Sequence, residues 1–220
     1  MRELKRPESG PKKALFEVAE RLVATKGFEA VSVRDITLEA KANVAAINYH
    51  FGSRDALLTA IMVMNMGPII DERLSLLDSI DRKGSKAIGV EEIVKAYVDP
   101  VFTPTNPAIL SETDHFKLIG RICSGPRETL PPPMTGLLER EELRFQKILE
   151  KALPGIPADE IDLRYRLMSG AMSQILLGSA PSKQLHDEVD AMIRFFVGGM
   201  GKGMDEETAV DHGAQATFDF

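Results

Sequence analysis

The sequence predicts an all-α fold of about nine helices, and three features of the chain support this prediction. Apolar residues recur at helical spacing along most of the 220 residues. Pro and Gly residues separate the periodic stretches, as they commonly do between helices. No segment keeps the alternation of apolar and polar residues that a half-buried strand shows. We therefore expect a small N-terminal group of short helices, followed by a larger helical body.

The charge of the chain is unevenly distributed. Residues 1–56 carry ten Lys and Arg against eight Asp and Glu, a net +2, whereas the remaining residues carry 17 against 25, a net −8. Such asymmetry favours contact of the N-terminal part alone with a polyanion. A difference of this size also arises by chance.

Composition also predicts the compartment. No apolar run approaches the ~20 residues that a membrane helix needs, and the N-terminal residues MRELKRPESGPKK lack the apolar segment of a secretory signal. The single cysteine, Cys123, excludes an internal disulfide and fits a reducing compartment. We expect a cytoplasmic protein without a membrane segment.

The first two helices carry clear start and stop signals. Residues 12–26 have one apolar stripe at helical spacing, and Gly27 is placed as a C-terminal glycine. Ser32 then precedes the stretch VRDITLEA, with Asp35 three residues later, which is typical of a helix N-cap with an acidic first turn.

Two further helices follow after a short break. Asn43 can cap a short third helix, VAAINYHF, which stops at Gly52. Ser53 can cap a fourth helix that runs into a methionine-rich segment, with Pro68 as a kink or boundary. Five more helical stretches are predicted in the body, at 90–103, 106–124, 134–152, 158–178 and 183–200.

The short helices of residues 33–40 and 44–51 match a helix-turn-helix, whose second helix enters the major groove of DNA. Val44, Ala45 and Ala46 are small enough to let that helix sit deep in the groove, and Asn48 can pair with an adenine edge. Phosphate oxygens can accept hydrogen bonds from Ser32, Arg34, Tyr49, His50 and Arg54. Lys5, Arg6, Lys12 and Lys13 can form a basic arm along the minor groove. Because short helices reach this spacing by accident too, the residues alone leave DNA binding open.

A family resemblance is carried by residues 12–62. Its most specific parts are A-x-x-L-x-x-x-x-G-F-x-x-x-S-V-x-D-I and N-V-A-A-I-N-Y-H-F-G-S-[KR]-x-x-L-L. This stretch resembles the N-terminal domain of the tetracycline-repressor (TetR) family of bacterial transcription regulators. The resemblance implies base or groove contacts from Asn43, Val44, Ala45 and Asn48, and phosphate contacts from Ser32, Arg34, Tyr49, His50 and Arg54.

Two positions depart from the family pattern. Lys41 stands where the family usually has Gly, so a lysine must take or avoid a left-handed conformation, at about 1 kcal/mol. Ala42 replaces a residue that is usually Val. Neither change removes a group that would face DNA.

The resemblance also implies a domain organisation and partners. It implies a homodimeric repressor that a small apolar effector releases from palindromic double-stranded DNA. The expected divisions are a flexible basic arm at 1–11, a DNA-binding domain at 12–56, an effector-binding and dimerisation domain at 57–202, and a disordered tail at 203–220.

The last two helices are the candidates for the dimer interface, because they combine small residues with apolar stripes. The predicted interface residues are Ala171, Met172, Ile175, Val189, Ile193, Phe196 and Val197. The alternative is that both stripes face the core of their own chain. Apolar or weakly polar residues suited to a ligand cavity are Phe102, His115, Phe116, Ile119, Cys123 and Met168. Such residues more often belong to a plain core.

Two other classes of protein compete with a regulator. An enzyme lacks support, because Cys123 and His115 lie eight residues apart, about 12 Å along one helix. Adjacent carboxylates such as Glu141 and Glu142 are expected to be splayed and solvated. No cofactor or metal is expected, since no metal-ligand spacing relates His50, His115, His186 and His212. The second rival, a helical protein-binding adaptor with a decayed head, predicts no salt-dependent affinity for DNA.

Overall fold

A computed structural model describes residues 6–84, 88–102, 110–178 and 182–200. Within these ranges the chain forms nine α-helices and no strand, which confirms the predicted all-α class. The helices are α1 (Gly10–Lys26), α2 (Val33–Glu39), α3 (Ala45–Phe51), α4 (Arg54–Asp81), α5 (Val90–Val98), α6 (Glu112–Ser124), α7 (Pro132–Ala152), α8 (Ala158–Gly178) and α9 (Ser182–Met200). Lys5, the first residues of the predicted arm and the predicted tail lie outside the described residues.

The predicted start of α2 is confirmed as a capping box. The Asp35 backbone N–H donates to Ser32 Oγ at 3.1 Å, and the Ser32 backbone N–H donates to the Asp35 carboxylate at 3.0 Å. Two amides that have no partner inside the helix are satisfied in this way. Gly27, with φ of 88°, ends α1 as predicted.

Lys41 takes the left-handed conformation, one of the two outcomes that the family pattern left open, with φ of 52°. The Ala42 N–H donates to the Thr37 carbonyl at 2.9 Å, and the Lys41 N–H donates to the Leu38 carbonyl at 3.3 Å. These two bonds form a Schellman ending, which ordinarily has glycine at the Lys41 position. The turn between α2 and α3 is therefore made by backbone geometry that a lysine fits poorly.

The caps of α3 and α4 also follow the sequence. Asn43 Oδ1 accepts from the Ala45 N–H at 2.9 Å, and Ser53 Oγ accepts from the Ala56 N–H at 3.0 Å. Gly52, with φ of 86°, separates the two helices. α3 is thus fixed at both ends by the local sequence.

Pro68 does not divide α4, and its prediction as a helix boundary is wrong. α4 continues through it for 28 residues. A proline removes one backbone donor from a helix, but residues on both sides of it, including Met66, Ile69 and Ile70, are buried and hold the helix in place. α4 also crosses the predicted domain limit at residue 56. Its first turns pack on α1 and α3 and its later turns pack on α7.

The body is organised around α6. This helix starts at Glu112, later than predicted, with Ser111 Oγ accepting from the Asp114 N–H at 3.1 Å; residues 106–109 lie outside the described ranges. It packs against both α8 and α1. At Gly120 a Cβ would lie 3.0 Å from the Leu177 backbone N, so α6 and α8 cross in close contact.

Neither a membrane-spanning helix nor a metal cluster is present in the described part of the chain. No helix there combines the length and apolar character needed to cross a bilayer. No three His, Cys, Asp or Glu side chains there are grouped as a metal site needs.

We expect Lys41→Gly to raise the free energy of unfolding by about 0.5–1 kcal/mol. Glycine adopts positive φ without the steric cost of a Cβ, and its extra entropy in the unfolded chain offsets part of the gain. Urea unfolding measures the difference. Lys41→Ala is the matched control, since it removes the lysine side chain but keeps Cβ; an equal gain in both variants would contradict the backbone explanation.

Candidate nucleic-acid interface

α3 presents one side to solvent and packs the other on the neighbouring helices. The recognition face, defined here as Asn43, Val44, Ala45, Asn48 and Tyr49, consists of exposed residues, with Val44 57% and Tyr49 86% exposed. On the opposite side Ile47 is fully buried, and Phe51 is half-buried against the Phe16 ring at 6.5 Å. A short helix with one buried side and an exposed small-residue side can enter a major groove without losing its packing.

The predicted phosphate donors beside this face differ in how free they are. Arg34 is exposed near the start of α2, and the His50 ring lies edge-on to the Tyr49 ring at 4.9 Å. Ser32 is exposed, but its hydroxyl donates to Asp35 Oδ2 at 2.5 Å. Hydrogen bonds from Ser32 also hold the pKa of the Asp35 carboxyl below its usual value, so the carboxylate keeps accepting at neutral pH. Ser32 therefore acts as a helix cap in this structure.

Arg54 has a role in the fold that the sequence did not predict. Its Nε donates to the Val31 carbonyl at 2.6 Å and its Nη2 donates to the Phe28 carbonyl at 2.5 Å. Its Nη1 donates to Asp55 at 3.0 Å. A guanidinium has five N–H donors, so two remain for a phosphate. The α1–α2 loop is held by the first pair of bonds.

Arg6 was predicted to belong to a flexible basic arm, and this prediction is wrong because its side chain is held against the fold. Its guanidinium pairs with the fully buried Glu20 carboxylate through bonds of 2.8 and 2.9 Å, and lies 5.0 Å from the centre of the Phe16 ring. A buried carboxylate requires such a partner, and this requirement draws Arg6 inward. Lys12 lies over the Phe51 ring and Lys13 pairs with Glu17, both on α1.

A second arginine, Arg121 on α6, connects the body to the N-terminal helices α1–α3, which we call the head. Its Nε donates to the Ala24 carbonyl and its Nη2 to the Thr25 carbonyl, each at 3.1 Å. The last carbonyls of a helix lack intrahelical partners and attract cations. The sequence offered no local signal for this contact, because 96 and 97 residues separate the partners.

A cavity of about 210 Å³ lies in the body, between α4, α5, α6, α7 and α8. Cys123, one of the predicted ligand-binding residues, lines it, and burial raises the pKa of its thiol to about 11. The other five predicted residues do not line it. They are buried or half-buried elsewhere: His115 Nε2 bonds the Val101 carbonyl at 3.1 Å, the Phe102 and Phe116 rings are 5.2 Å apart, and Ile119 and Met168 are fully buried.

The cavity is instead lined by buried polar side chains. Arg73 and Glu141 are both almost fully buried and pair at 2.5 Å, which corrects the expectation that Glu141 is solvated. Arg73 Nε also donates to the Tyr97 carbonyl at 2.7 Å. Burial opposes the charge of Arg73, but the adjacent Glu141 raises its pKa above the ordinary value. A search of the sequence for apolar residues suited to a cavity does not find Arg73 and Glu141. Each is charged and is buried only because the other, 68 residues away, neutralises it.

The predicted dimer residues divide into two groups. Met172, Val189 and Phe196 are buried in the core of their own chain and offer almost no surface to a second copy. The half-buried ones are Ala171, Ile175, Ile193 and Val197. Three large apolar side chains on the same two helices are exposed, those of Leu163, Leu167 and Phe195, the last 73% exposed. The dimer interface itself stays a prediction.

An exposed small-residue helix, held by a capped turn and flanked by donors, is the arrangement of a helix-turn-helix. Residues 15–61 match the family model described as bacterial regulatory proteins, tetR family. Residues 95–199 match the model described as tetracyclin repressor-like, C-terminal domain. The chain therefore belongs to the TetR family. Members of this family are non-enzymatic DNA-binding regulators of transcription, which bind operator DNA as homodimers with small-molecule effectors.

Solved structures share the fold at low sequence identity. The TetR family regulator PfmR from Thermus thermophilus is 17% identical with a TM-score of 0.61, over 89% of this chain and all of that one. KstR2 of Mycobacterium tuberculosis, a ketosteroid transcriptional regulator, is 15% identical with a TM-score of 0.61, over 91% of this chain and all of that one. Mycobacterium smegmatis AmtR is 18% identical with a TM-score of 0.57, over 91% of each chain. No curated protein is similar enough in sequence to count as a relative.

We expect Arg54→Ala to lower the free energy of unfolding by about 2 kcal/mol, because it removes two charge-assisted bonds to loop carbonyls from a partly exposed site. Arg34→Ala is the matched control, and as an exposed side chain it should stay within about 0.5 kcal/mol of the wild type. Urea unfolding of both variants measures the contrast. Equal stabilities would show that the Arg54 contacts contribute nothing to the fold.

Proposed function

We propose that this chain is a cytoplasmic, homodimeric transcriptional repressor that a small-molecule effector releases from a palindromic operator. The observation that carries the DNA-binding part is the recognition face of α3, whose side chains are exposed while Ile47 anchors the helix from behind. A dimer would place two such helices about 34–36 Å apart, in successive major grooves.

Some residues of the head would contact bases and others would contact phosphates. Asn48 would read a base edge, since its amide offers a donor and an acceptor together, and Val44 and Ala45 would contact thymine methyls. Tyr49, His50 and Arg34 would donate to phosphates on either side of α3, which positions the helix without reading sequence. Arg54 would add its remaining donors while it holds the α1–α2 loop, and Ser32 would act through the cap of α2.

The dimer surface would consist of Leu163, Leu167 and Phe195, together with the half-buried residues beside them. Gly170 on α8 has open space where a side chain would stand, which lets a partner helix approach closely. A large exposed apolar patch is uncommon on a monomer. The preferred occupant is a second copy of this chain, because a helix-turn-helix that reads a palindrome needs a two-fold partner.

The effector would act through α6. Cys123 on this helix lines the cavity, and Arg121, two residues earlier, holds the end of α1. A crevice of about 400 Å³ separates the head from the body at the same place, lined in part by Phe28, Met62 and Leu130. A ligand that shifts α6 would move α1 and the head with it, and so favour a spacing that no longer fits the operator.

The DNA-binding proposal is tested with genomic fragments that the purified protein selects. We expect Tyr49→Ala to weaken binding to selected and unrelated DNA by a similar factor, about tenfold to hundredfold for a dimer, because a phosphate contact carries no sequence information. Asn48→Ala should instead change the preferred base at one position of each half-site. Fluorescence anisotropy on a panel of duplexes measures both effects.

Leu143→Ala is the control, because Leu143 is exposed on α7 and lies outside the recognition face. This variant should bind DNA as the wild type does. Unchanged affinity in Tyr49→Ala would overturn the phosphate assignment. Affinity that does not fall with rising salt would favour the protein-binding adaptor over a regulator.

For the dimer, we expect Phe195→Glu to dissociate the protein into folded monomers, because a charge would be buried without a partner at the interface. Leu143→Glu is the matched control, since Leu143 is 57% exposed on α7 beside Arg140 and Arg144. Sedimentation velocity measures the mass of each variant. A dimeric Phe195→Glu protein would place the interface elsewhere.

A further inference from the structure

The cavity between α4 and α8 contains buried polar groups whose hydrogen-bonding capacity the fold does not use. Arg73 spends Nε on the Tyr97 carbonyl and one Nη1 proton on Glu141. Within the described ranges its Nη2 has no partner, and the same holds for the hydroxyl of Tyr165, which is 3% exposed. Leaving such donors buried and unpaired costs about 1–3 kcal/mol each. A ligand that accepts from both would remove that cost.

The arginines at the cavity are already paired, but Arg73 keeps unused donors. Arg73, Arg127 and Arg166 are lining residues, and each pairs with one carboxylate, those of Glu141, Glu142 and Asp162 respectively. The charges of these pairs balance, so the argument for an anion rests on the unused Nη2 of Arg73. A guanidinium is the group that best matches a planar carboxylate.

Both tyrosines at the cavity are donors at neutral pH. Burial raises the pKa of Tyr97 to about 12 and raises the pKa of Tyr165 well above its ordinary value. The Tyr97 hydroxyl already donates to Ser169 Oγ at 2.9 Å. The Tyr165 hydroxyl is thus the neutral donor that remains available beside Arg73.

The rest of the lining and the volume restrict the ligand further. Met66, Leu130 and Leu138 supply apolar surface, together with the rings of the two tyrosines. The volume of about 210 Å³ is below the ~300–1,000 Å³ of pockets that hold drug-sized molecules. A short carbon skeleton fits this space, and a molecule of coenzyme size does not.

We propose that this cavity binds a small amphipathic carboxylate, whose oxygens accept hydrogen bonds from Arg73 Nη2 and the Tyr165 hydroxyl while its carbon skeleton lies against Met66 and Leu138. The inference rests on the proposed function only in taking this ligand for the effector. Binding of the carboxylate to the protein is a separate property and can be measured without DNA.

The test uses the full-length protein and four probes of one size: hexanoate, phenylacetate, and the uncharged and cationic analogues hexanamide and hexylamine. Thermal unfolding and isothermal titration calorimetry measure binding. At least one of the two carboxylates should bind and raise the melting temperature, and the amide and amine should bind at least tenfold more weakly or not at all. Equal binding of carboxylate and amide, preference for the amine, or binding of neither carboxylate would overturn the proposal.

Tyr165→Phe should keep the fold, because it removes a hydroxyl that has no protein partner within the described ranges, and should weaken carboxylate binding about tenfold. Arg140→Met is the control, since Arg140 lies exposed on α7 and pairs with Asp71 outside the cavity; it should bind the carboxylate as the wild type does. An unchanged affinity in Tyr165→Phe would contradict the proposed site.

Operator binding, measured on the same preparations without any carboxylate, separates the two proposals. DNA binding with no carboxylate binding would overturn this inference and leave the proposed function standing. Carboxylate binding by a protein that selects no DNA would overturn the proposed function and leave the carboxylate site standing. Carboxylate binding that leaves the operator complex intact would contradict the effector role and keep the site.

Discussion

The arrangement of the head depends on how the carbonyl groups at the end of α1 and in the loop to α2 are satisfied. Arg121 holds the Ala24 and Thr25 carbonyls from the body, and Arg54 holds the Phe28 and Val31 carbonyls from the start of α4. The first two belong to the last turn of α1, where carbonyls have no intrahelical partner and a positive charge is stabilising, and the other two belong to the loop that follows. Since α2 and α3 follow directly, their orientation depends on these two arginines.

A buried carboxylate fixes the other side of the head. Glu20 on α1 pairs with Arg6 and also accepts from Asn65 Nδ2 on α4 at 2.7 Å. A buried carboxylate without partners would cost folding free energy. The Glu20 contacts therefore hold α1 against α4 at Asn65, which follows the recognition helix along the chain. Polar contacts thereby connect the head to α4 through Arg54 and Asn65 and to α6 through Arg121, in addition to the packing of α1 on both helices. A displacement of α6 or α4 in the body would therefore move α1 and the loop after it, and α3 with them, through the contacts of Arg121, Arg54 and Glu20.

Local signals in the sequence predicted local structure well. Ser32, Asn43 and Ser53 cap helices because a short polar side chain reaches an amide two or three residues ahead. The sequence marked Lys41 as a position of unusual backbone conformation, and only the structure shows that it takes the left-handed one. Contacts over long sequence distances could not be predicted in this way. The pairing of Arg73 with Glu141, and the inward turn of Arg6, each require a partner that only the folded chain brings near. For the dimer, helical spacing showed that α8 and α9 have apolar sides, but a period cannot tell which apolar residues serve the chain's own core and which a second copy.

In the proposed mechanism the body acts on the head through Arg121, which lies outside the recognition face. The decisive measurement is therefore the operator affinity of Arg121→Gln, compared with wild type and with Arg140→Gln as a surface control. We expect a folded Arg121→Gln protein whose operator affinity is at least about tenfold lower, corresponding to about 1.4 kcal/mol, with no change in Arg140→Gln. If Arg121→Gln bound the operator as the wild type does, the body would not act on the head through this residue.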